Sequence, residues 1–502
     1  MIAIVVSRAD RASEHIGDRL LEIGEWDAFV DDSRPDADGG GTVHRRPGAE
    51  LRTFEDLHIY LDDPSSAFGT VTSVADGTDG SATSHAGDRD PDHLADREPD
   101  LLVFVSRHAG DTGPLLTAHF TGNFGPAEYG GDDGAFARAA PAAQKRLVAG
   151  FAEHAPAEYD VGIECTHHGP SGTAVPSLFA ELGSGDEQWD DPAGARAVAR
   201  AVSDLIDDHV AAQSVDTNDP VDPADLVGTD GKTRHVVGFG GGHYAPRFTR
   251  IVEETAWGVG HIGSDWQLAE LGSPTENAAV VDRAFAASAA EYAVIEGDRP
   301  TLRETIDDLG YRVVGETWVR EVGDRPLALV ERLEADVAPV ADGLRFGDVV
   351  PTASDAFAVR ELPADLLSRA QGIDHDAART AVERHTVAFE TEESGTRAAG
   401  SAAFAADGSG STESDTESGA GEYDALVRAL ADVLGDGFRD VTVTQDAVVA
   451  SERAFDPGLA ADHGVPEGPK FGRLAAGEPV EIDGRTVTPE DVTRERDVRF
   501  PR

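Results

Sequence analysis

The sequence predicts an α/β fold, in which helices flank a sheet that is parallel or mixed. The chain opens with an apolar strand at 2–6 and an amphipathic helix at 11–21, and a β-then-α opening is typical of parallel sheets. Strand and helix patterns alternate again between 234 and 314. Polar side chains follow the ends of several apolar strands, which is how α/β enzymes place functional groups.

The N-terminal half contains further apolar strands. We predict buried strands at 101–105 and 115–120, each running directly into polar residues. A helix at 192–210 follows Asp191, whose side chain is a favourable N-cap. Residues 65–98 are rich in Ser, Gly, Asp and Thr, so we interpret them as an acidic insertion on a loop.

The alternation continues towards the C-terminus. Predicted strands lie at 234–238, 292–296 and 311–314, and predicted helices at 275–291, 301–309, 362–370, 374–386 and 423–434. Residues 390–421 contain Phe404 as their one bulky apolar residue, which predicts a disordered linker. The predicted domains are an α/β catalytic region (1–345), a helical extension (346–389), the linker (390–421) and a C-terminal segment (422–502).

The net charge is the most unusual feature of the composition. The 502 residues include 94 Asp and Glu against 42 Lys and Arg, for a net charge of −52. Only three lysines occur, and acidic residues are spread through the predicted helices as well as the loops. In molar salt the Debye length falls to about 3 Å, which screens self-repulsion. This composition therefore predicts a salt-adapted protein, since disordered acidic segments would explain only part of the charge.

The charge says little about partners. In low salt such a chain would bind nucleic acid poorly, whereas in molar salt shape and hydrogen bonds replace counterion release. The single Cys165 excludes an intrachain disulfide, and no apolar run approaches the roughly 18 residues that span a bilayer. The N-terminus lacks a signal pattern, so we expect a cytoplasmic protein without a membrane partner. The sequence does not specify the oligomeric state, for which a monomer is the working expectation.

The strongest functional signal is an apolar run that ends in a cluster of polar residues. The cluster is Glu164-Cys165-Thr166-His167-His168, and Gly-Pro then turns the chain. If the cluster is extended, Glu164, Thr166 and His168 share one face and the other two residues share the opposite face. Cys165 is then better explained as a small packed residue than as a nucleophile. Thr166 is a candidate hydrogen-bond donor.

A glycine-rich loop brings a second group of candidates. Gly240, Gly241 and Gly242 precede His243 and Tyr244. Glycines let backbone N–H groups approach a ligand or an oxyanion closely, so Gly241 and Gly242 are candidate catalytic amides. A tight turn explains the glycines equally well when they are considered alone, but the adjoining His243 and Tyr244 favour a site.

Imidazoles from separate stretches suggest a metal site. The candidate ligands, beside the carboxylate of Glu164, are His108, His167, His168, His243 and His261. Zinc accepts imidazole and carboxylate ligands, and a catalytic zinc keeps one position for water. No compact His-Glu-x-x-His signature is present. Any one of these histidines can instead hydrogen-bond the backbone of its own loop.

Other polar residues beside these motifs are candidates for substrate binding. They are Ser106, Arg107, His108, Tyr244 and Arg247. Arg107 and Arg247 can hold a phosphate or a carboxylate through paired hydrogen bonds. A surface ion pair is the alternative for both arginines.

Together these motifs resemble the archaeal and plant type of D-aminoacyl-tRNA deacylase. The similar segments are 5–13, 106–108, 117–119, 122–125, 160–170 with its Glu-Cys-Thr-His-His-Gly-Pro core, 183–184 with Trp189, 238–246 with Gly-Phe-Gly-Gly-Gly-His-Tyr-Ala-Pro, and 260–262. The resemblance spans about residues 1–345 and returns at 464–472. The motifs are long and occur in the family's order.

The resemblance implies an α/β fold of the phosphorylase/hydrolase-like type, dependence on Zn²⁺, and hydrolysis of the ester between a D-amino acid and tRNA. Such an enzyme performs chiral proofreading and D-amino acid detoxification. Asn123, from the matching segment 122–125, joins the expected substrate-binding residues. The chain departs from the family pattern at Ala109-Gly110, where hydroxyl-bearing residues are expected. The 65–98 insertion and the 390–421 linker are additions to that pattern.

We therefore expect a deacylase in which a zinc-activated water attacks the ester carbonyl. Glu164 is the expected general base, with Thr166, Gly241 and Gly242 in the catalytic set. The zinc ligands are expected among His167, His168, His243 and His261. Assistance by the ribose 2′-hydroxyl, with a purely structural metal, is an alternative mechanism.

Two other functions remain open at this stage. One is a metal-dependent amidohydrolase or peptidase that acts on small acyl substrates and needs no tRNA surface. The other is a non-catalytic RNA-binding protein, which would present arginines and aromatic side chains rather than a histidine cluster.

Overall fold

A computed structural model describes residues 1–69, 71, 73–74, 98–214, 234–406 and 420–502. The chain divides into two compact units, Met1–Gly323 and Asp324–Arg502. The boundary predicted at 345 therefore falls inside the second unit, and the predicted acidic insertion at 65–98 lies largely outside the described residues. Within the described ranges, no helix is both long enough and apolar enough to cross a membrane.

Nine strands of the first unit form one sheet. They are β1 (Ile2–Ser7), β2 (Asp27–Asp31), β3 (Gly41–Arg46), β4 (Ala49–Phe54), β5 (Ser73–Val74), β6 (Leu101–Ala109), β7 (Leu115–His119), β8 (Asp160–Ile163) and β9 (Ser177–Ser184). Their order is β5-β2-β3-β4-β1-β6-β9-β7-β8. β1, β4, β6 and β9 run parallel, whereas β7 runs antiparallel to β9. The sheet is therefore mixed, which is one of the two predicted arrangements.

Helices cover one face of this sheet. The helices of this part of the chain are α1 (Arg11–Ile23), α2 (Pro141–His154), α3 (Asp186–Trp189) and α4 (Pro192–Ser214). Gly17 of α1 packs so closely on Val6 that an added Cβ would lie 3.0 Å from its Cγ2, and Gly194 of α4 packs in the same way on Leu182. Because side chains alternate between the faces of a strand, the neighbours of Val6 and Leu182 point to the opposite face.

A second, four-stranded sheet completes the first unit. Its strands are β10 (Arg234–Phe239), β11 (Trp257–Gly263), β12 (Tyr292–Ile295) and β13 (Arg312–Val314), and the helices here are α5 (Pro246–Glu254), α6 (Asp265–Leu271), α7 (Ala278–Ser288), α8 (Pro300–Asp308) and α9 (Glu316–Val322). The order is β11-β10-β12-β13, with all pairs parallel. The α/β alternation predicted between 234 and 314 is confirmed, and β11 adds a strand that was not predicted.

The second unit combines antiparallel strands with helices. Its elements are α10 (Leu327–Asp336), β14 (Arg345–Phe346), β15 (Phe357–Glu361), α11 (Ala364–Ile373), α12 (His375–His385), β16 (Ala388–Glu392), β17 (Arg397–Ala405), α13 (Ala420–Leu434), β18 (Asp440–Val443), β19 (Ala447–Phe455), α14 (Pro457–Asp462), α15 (Pro469–Ala475), β20 (Val480–Ile482), β21 (Arg485–Val487) and β22 (Thr493–Pro501). The sheets are β14-β16-β17-β15, β18-β19-β22 and β20-β21. The three helices predicted between 362 and 434 are confirmed.

The first half of the predicted disordered linker at 390–421 forms strands in the structure, so that part of the prediction is wrong. β16 and β17 occupy most of 388–405 and pair antiparallel with each other. Phe404 is buried together with Ala398 and Ala402 in the main apolar cluster of this unit. Small alanines are enough to fill the buried face of a strand in a tight sheet, so a count of bulky residues underestimates its order. Residues 407–419 lie outside the described part of the chain.

Candidate active site

Polar side chains gather on the sheet face that α1, α2 and α4 leave uncovered. Ser106 on β6, Glu181 on β9 and Thr117 on β7 are register partners in adjacent strands. His108 and His119 lie two residues further along β6 and β7, so they point to the same face. A Glu181 oxygen lies 3.7 Å from His108 Nδ1, and the other lies 3.6 Å from His119 Nε2. Three strands thus hold one buried carboxylate between two imidazoles.

Glu164 follows directly after β8 and is the second buried carboxylate. Its Oε1 lies 3.2 Å from His108 Nδ1 and its Oε2 lies 2.7 Å from His243 Nε2. Burial would raise the pKa of Glu164, but the hydrogen bonds with His108 and His243 hold it well below its ordinary value. Glu164 is therefore ionised and held between two imidazoles that come from different sheets.

β8 ends at Ile163, so the condition for the alternating arrangement, a strand that continues through Glu164–His168, is not met. The backbone N–H of Thr166 donates to Ile262 O at 2.9 Å, so the chain crosses from the first sheet to the second. As a result Cys165 and Glu164 do not face apart: Cys165 Sγ lies 3.5 Å from His243 Nδ1. Cys165 is fully buried, as expected for a packed residue.

His167 and His168 close the cluster from the other side. Their ring centroids lie 4.2 Å and 4.9 Å from that of His119. In all three residues Nδ1 faces a backbone carbonyl, at 2.8 Å in His167, 2.7 Å in His168 and 3.1 Å in His119. A carbonyl only accepts, so Nδ1 carries a proton in each ring, and in the neutral His167 and His168 Nε2 presents its lone pair. One ring nitrogen from each of the three histidines lies within 4.8 Å of the others.

The imidazoles of the site separate into charged and neutral pairs. Burial lowers the pKa of His108, but hydrogen bonds with Glu164 and Glu181 raise it to about 10. The pKa of His243 also rises to about 10, against burial, through contacts with Cys165 and Glu164. Burial and the nearby charge of His119 lower the pKa of His168 to about 3. Burial likewise holds the pKa of His167 well below its ordinary value.

These residues line a cavity of about 430 Å³. Its lining includes His108, His167, His168, Glu181 and His243 in the interior, and Arg107, Asn123, Tyr129, Trp266 and Glu270 among the remainder. The cavity is large enough for an aminoacyl group together with part of the group that carries it. The positions of the residues predicted from the sequence are described below relative to this cavity.

Thr166 and His261 lie outside the cluster and bind each other. Thr166 Oγ1 lies 3.0 Å from His261 Nδ1, and His261 Nε2 lies 2.9 Å from Ala137 O. Both side chains are buried, and burial lowers the pKa of His261 to about 4. With both ring nitrogens engaged by the protein, His261 does not join the other predicted ligands.

The glycine-rich loop is mainly a turn. Gly240 and Gly241 have φ angles of +92° and +81°, which favour glycine. The Gly240 N–H donates to Gly263 O and the Gly241 N–H to Asp265 Oδ1, both at 2.8 Å. The Gly242 N–H donates to none of the described residues. Of the two predicted catalytic amides, Gly242 is thus the one whose N–H is not engaged within the described part of the chain.

The predicted binding residues divide into two groups. Arg107 lines the cavity with its guanidinium 5.2 Å from the Trp189 ring centroid. Tyr244 contacts a lining residue of the cavity, because its hydroxyl lies 3.4 Å from His108 Nε2. Arg247 instead donates to Glu316 at 3.1 Å and to Ile295 O at 3.0 Å, which is the ion-pair alternative.

Ser106 and Asn123 hold the walls of the cavity. Ser106 Oγ donates to Asp10 Oδ2 at 3.2 Å, and Asp10 also accepts from the Arg107 N–H at 2.9 Å. Asn123 Nδ2 donates to Gly130 O at 3.1 Å, which fixes the loop between β7 and α2. Both residues line the cavity with their neighbours.

Glu181 and His119 were absent from the predicted site residues. Glu181 interrupts the apolar run Leu178, Phe179, Ala180 and Leu182 of β9, and a lone carboxylate in a buried strand is a recognisable signal. His119 ends β7, the same kind of position that drew attention to His108.

Comparison with known proteins places these residues in a family context. The family model described as D-aminoacyl-tRNA deacylase matches residues 95–314. A D-aminoacyl-tRNA deacylase of Halorubrum lacusprofundi is 60% identical, covering 100% of this chain and 97% of the relative. Proteins of the same name from Natronomonas pharaonis and Haloarcula marismortui are 47% and 46% identical, each covering 100% of both chains.

Proposed function

The chain belongs to the D-aminoacyl-tRNA deacylase family, and from that premise we propose how its cavity carries out the reaction. The enzyme hydrolyses the ester that joins a D-amino acid to tRNA and releases both products. The observation that carries the proposal is a buried, ionised Glu164 held between His108 and His243, both of which line the cavity. We further propose that it acts in the cytoplasm, where tRNA is aminoacylated.

Glu164 is the proposed proton acceptor for the attacking water. Its low pKa keeps it ionised over the whole working range, at some cost in basicity. The bonds from His108 and His243 fix the carboxylate in one orientation, which suits a group that must meet a water in a defined position. The Gly242 N–H is the proposed donor to the oxygen that becomes negative.

The residues also fit a bound zinc ion. His119, His167 and His168 each donate Nδ1–H to a carbonyl, and one ring nitrogen of each lies within 4.8 Å of those of the others. A fixed tautomer is typical of metal-ligating histidines. His119 Nε2 is buried without a hydrogen-bond partner among the described residues. We propose these three as ligands. A zinc ion there would supply Lewis acidity.

His243 was predicted as a zinc ligand together with His167 and His168, but it belongs to a different group of potential ligands. Cys165, His167 and His243 form another group whose ligand atoms lie within 4.8 Å of one another, so His167 is common to both groups. His261 is left out of the proposed set because both of its ring nitrogens are engaged. Glu181 raises the pKa of His119 against its burial, so metal binding at His119 should release a proton.

The direct test is hydrolysis in molar KCl of D-tyrosyl-tRNA, L-tyrosyl-tRNA and D-tyrosine ethyl ester. The proposed function requires cleavage of the D-tyrosyl-tRNA and sparing of the L form. Fast cleavage of the free ester with neglect of both tRNA substrates would favour a small-substrate amidohydrolase or esterase. Absence of any hydrolysis, with tRNA still bound, would favour the RNA-binding alternative.

A further inference from the structure

The exposed aromatic side chains gather around the cavity. Among the described residues, four Phe, Tyr or Trp side chains are exposed by more than a third: Tyr60 at 63%, Tyr129 at 64%, Tyr244 at 37% and Trp266 at 44%. Tyr129 and Trp266 line the cavity, Tyr60 follows its lining residue Ile59, and Tyr244 approaches His108. Exposed apolar surface that is concentrated in one place usually marks a binding surface.

Tyr129 and Trp266 reach the cavity from different parts of the fold. Tyr129 lies in the loop between β7 and α2, and its carbonyl accepts from the Gly169 N–H at 3.0 Å. Trp266 lies in the first turn of α6, next to Gln267, whose side chain donates to Thr166 O. Both aromatic residues are therefore anchored to the segment that carries His167 and His168.

The two rings have no aromatic or cationic partner within the described chain. Neither Tyr129 nor Trp266 stacks on another ring or lies under an arginine there. Other exposed or half-buried aromatics are covered in this way, as Trp189 is by Arg107. Their faces are available to a planar group that enters with the substrate.

Acidic side chains surround the two rings. Glu128 and Glu270 also line the cavity, and burial together with Glu128 raises the pKa of Glu270. In a chain of net charge −52, phosphates gain little from this surface. Stacking needs no ion pair and tolerates molar salt, and every base offers a π-face.

We propose that Tyr129 and Trp266 form a stacking platform for the unpaired 3′-terminal bases of the tRNA. This inference rests on the proposed function. The ester that must reach Glu164 is attached to the terminal ribose, so the base on that ribose has to lie within one nucleotide of the reacting carbonyl. Tyr129 and Trp266 line the same cavity as His108 and His243, and both rings are exposed to solvent.

The first test measures KM and kcat of Trp266→Ala and Tyr129→Ala in molar KCl. We expect KM to rise about tenfold for each variant, equally for D-tyrosyl-tRNA and D-alanyl-tRNA, with kcat changed far less. Trp266→Phe should recover most of the loss, because phenylalanine still offers a π-face. A loss confined to D-tyrosyl-tRNA would overturn the proposal, because the rings would then bind the amino-acid side chain.

A second test does not depend on hydrolysis. Uncharged tRNA and the same tRNA with its unpaired 3′ nucleotides removed are titrated against the full-length protein. Removal should weaken binding about tenfold or more for the natural protein and hardly at all for a Trp266→Ala/Tyr129→Ala double variant. Equal binding of the two tRNAs to the natural protein overturns the platform. If the natural protein lacks deacylase activity but shows this coupling, the proposed function fails and the platform stands.

Discussion

The backbone N–H of Cys165 donates a 2.8 Å hydrogen bond to the carbonyl oxygen of His243. This one bond ties the segment after β8 to the glycine-rich loop after β10. It also places two consecutive side chains at the two nitrogens of one imidazole, with Glu164 at Nε2 and Cys165 at Nδ1. The orientation of His243 is thus fixed by one backbone hydrogen bond and two side-chain contacts from consecutive residues, and not by a single side chain.

Replacing Glu164 by Gln should lower kcat by about a hundredfold or more, because the proton acceptor is lost while the shape is kept. In metal-free protein the pKa of His243, now about 10, should fall, since Glu164 is one of the groups that raise it. Steady-state kinetics and NMR titration of the imidazoles measure the two effects. Activity within threefold of the natural protein would remove Glu164 from this role.

The histidines should separate into metal-binding and structural residues. His168→Gln should lower the zinc-to-protein ratio with little change in melting temperature, because its ring lies at the end of a loop. His261→Gln should lower the melting temperature, since it leaves Thr166 and Ala137 O without their buried partner. Elemental analysis and thermal unfolding on the same samples provide both numbers. Loss of zinc from the His261 variant alone would reverse our assignment.

His243 differs from both the metal-binding and the structural histidines, because its proposed role is to hold Glu164. His243→Ala should abolish most activity because it removes the donor at Glu164 Oε2. It should reduce zinc less than His168→Gln does if His119, His167 and His168 are the ligands. Equal zinc loss in the two variants would place His243 in the ligand set.

β10, β12, β13, α7 and α8 could be predicted because each is an apolar or amphipathic run of ordinary length between polar breaks, whereas β11, α5 and α6 were not predicted. β3 and β4 were missed because charged residues occupy several of their buried positions. Arg45, Glu50 and Arg52 are all buried and pair with one another, so the strands look exposed in the sequence. Mutual neutralisation of this kind is a property of the pairing and not of any single position.

The residue types of the site could be predicted, but their grouping could not. His108, Glu164 and His243 come from three separate stretches, and only the order of the strands brings them together. His261 has the same residue type and a similar loop-like sequence context, yet it lies within β11 and points to Thr166. Sequence patterns identify imidazoles, and long-range strand pairing decides which of them meet.

The enzyme should cleave D-aminoacyl-tRNA in preference to the L form by about a hundredfold or more. In the L form the side chain and the ammonium exchange places at the α-carbon. One of them is then turned towards the backbone around Gly242 or the acidic lining of the cavity. Rates on D- and L-tyrosyl-tRNA at equal concentration measure the ratio. Similar rates for the two would favour a general esterase.

Activity should rise from low salt to molar KCl. At low salt the charge of −52 repels tRNA and crowds surface carboxylates, and added salt screens both effects. Initial rates across a KCl series, with circular dichroism on the same samples, separate binding from folding. A maximum near physiological ionic strength with full folding there would contradict the salt-adaptation argument.

The buried ion-pair network of the first sheet should be essential for stability. Arg52 NH1 lies 2.7 Å from Asp31 Oδ2, and both side chains are fully buried. Arg52→Ala removes the fully buried cation that pairs with both Asp31 and Glu50 and should cost about 3–5 kcal/mol in the free energy of unfolding. Chemical denaturation measures this cost. Arg52→Met together with Asp31→Leu is the matched control, and it should recover part of the loss.

The same network gives a defined pH dependence. Burial raises the pKa of Asp31, but hydrogen bonds from Ser33 and Arg52 lower it to about 2, from an ordinary value of 3.8. A depressed folded-state pKa contributes stability that is present above 3.8 and is lost as the pH falls towards 2. The free energy of unfolding, measured between pH 2 and pH 3.8, should depend less on pH in an Asp31→Asn variant than in the natural protein. An unchanged dependence would contradict the assigned shift.

β6 and β7 are separated by residues 110–114 alone, yet both pair with β9 and not with each other. A chain emerging from the ribosome therefore completes both strands well before it makes Ser177–Ser184, the strand that joins them. Until then β6 and β7 each keep an unpaired edge, and Glu181 cannot reach His108 or His119. The cavity therefore depends on β9 pairing with both strands, since that pairing alone sets Glu181 between His108 and His119.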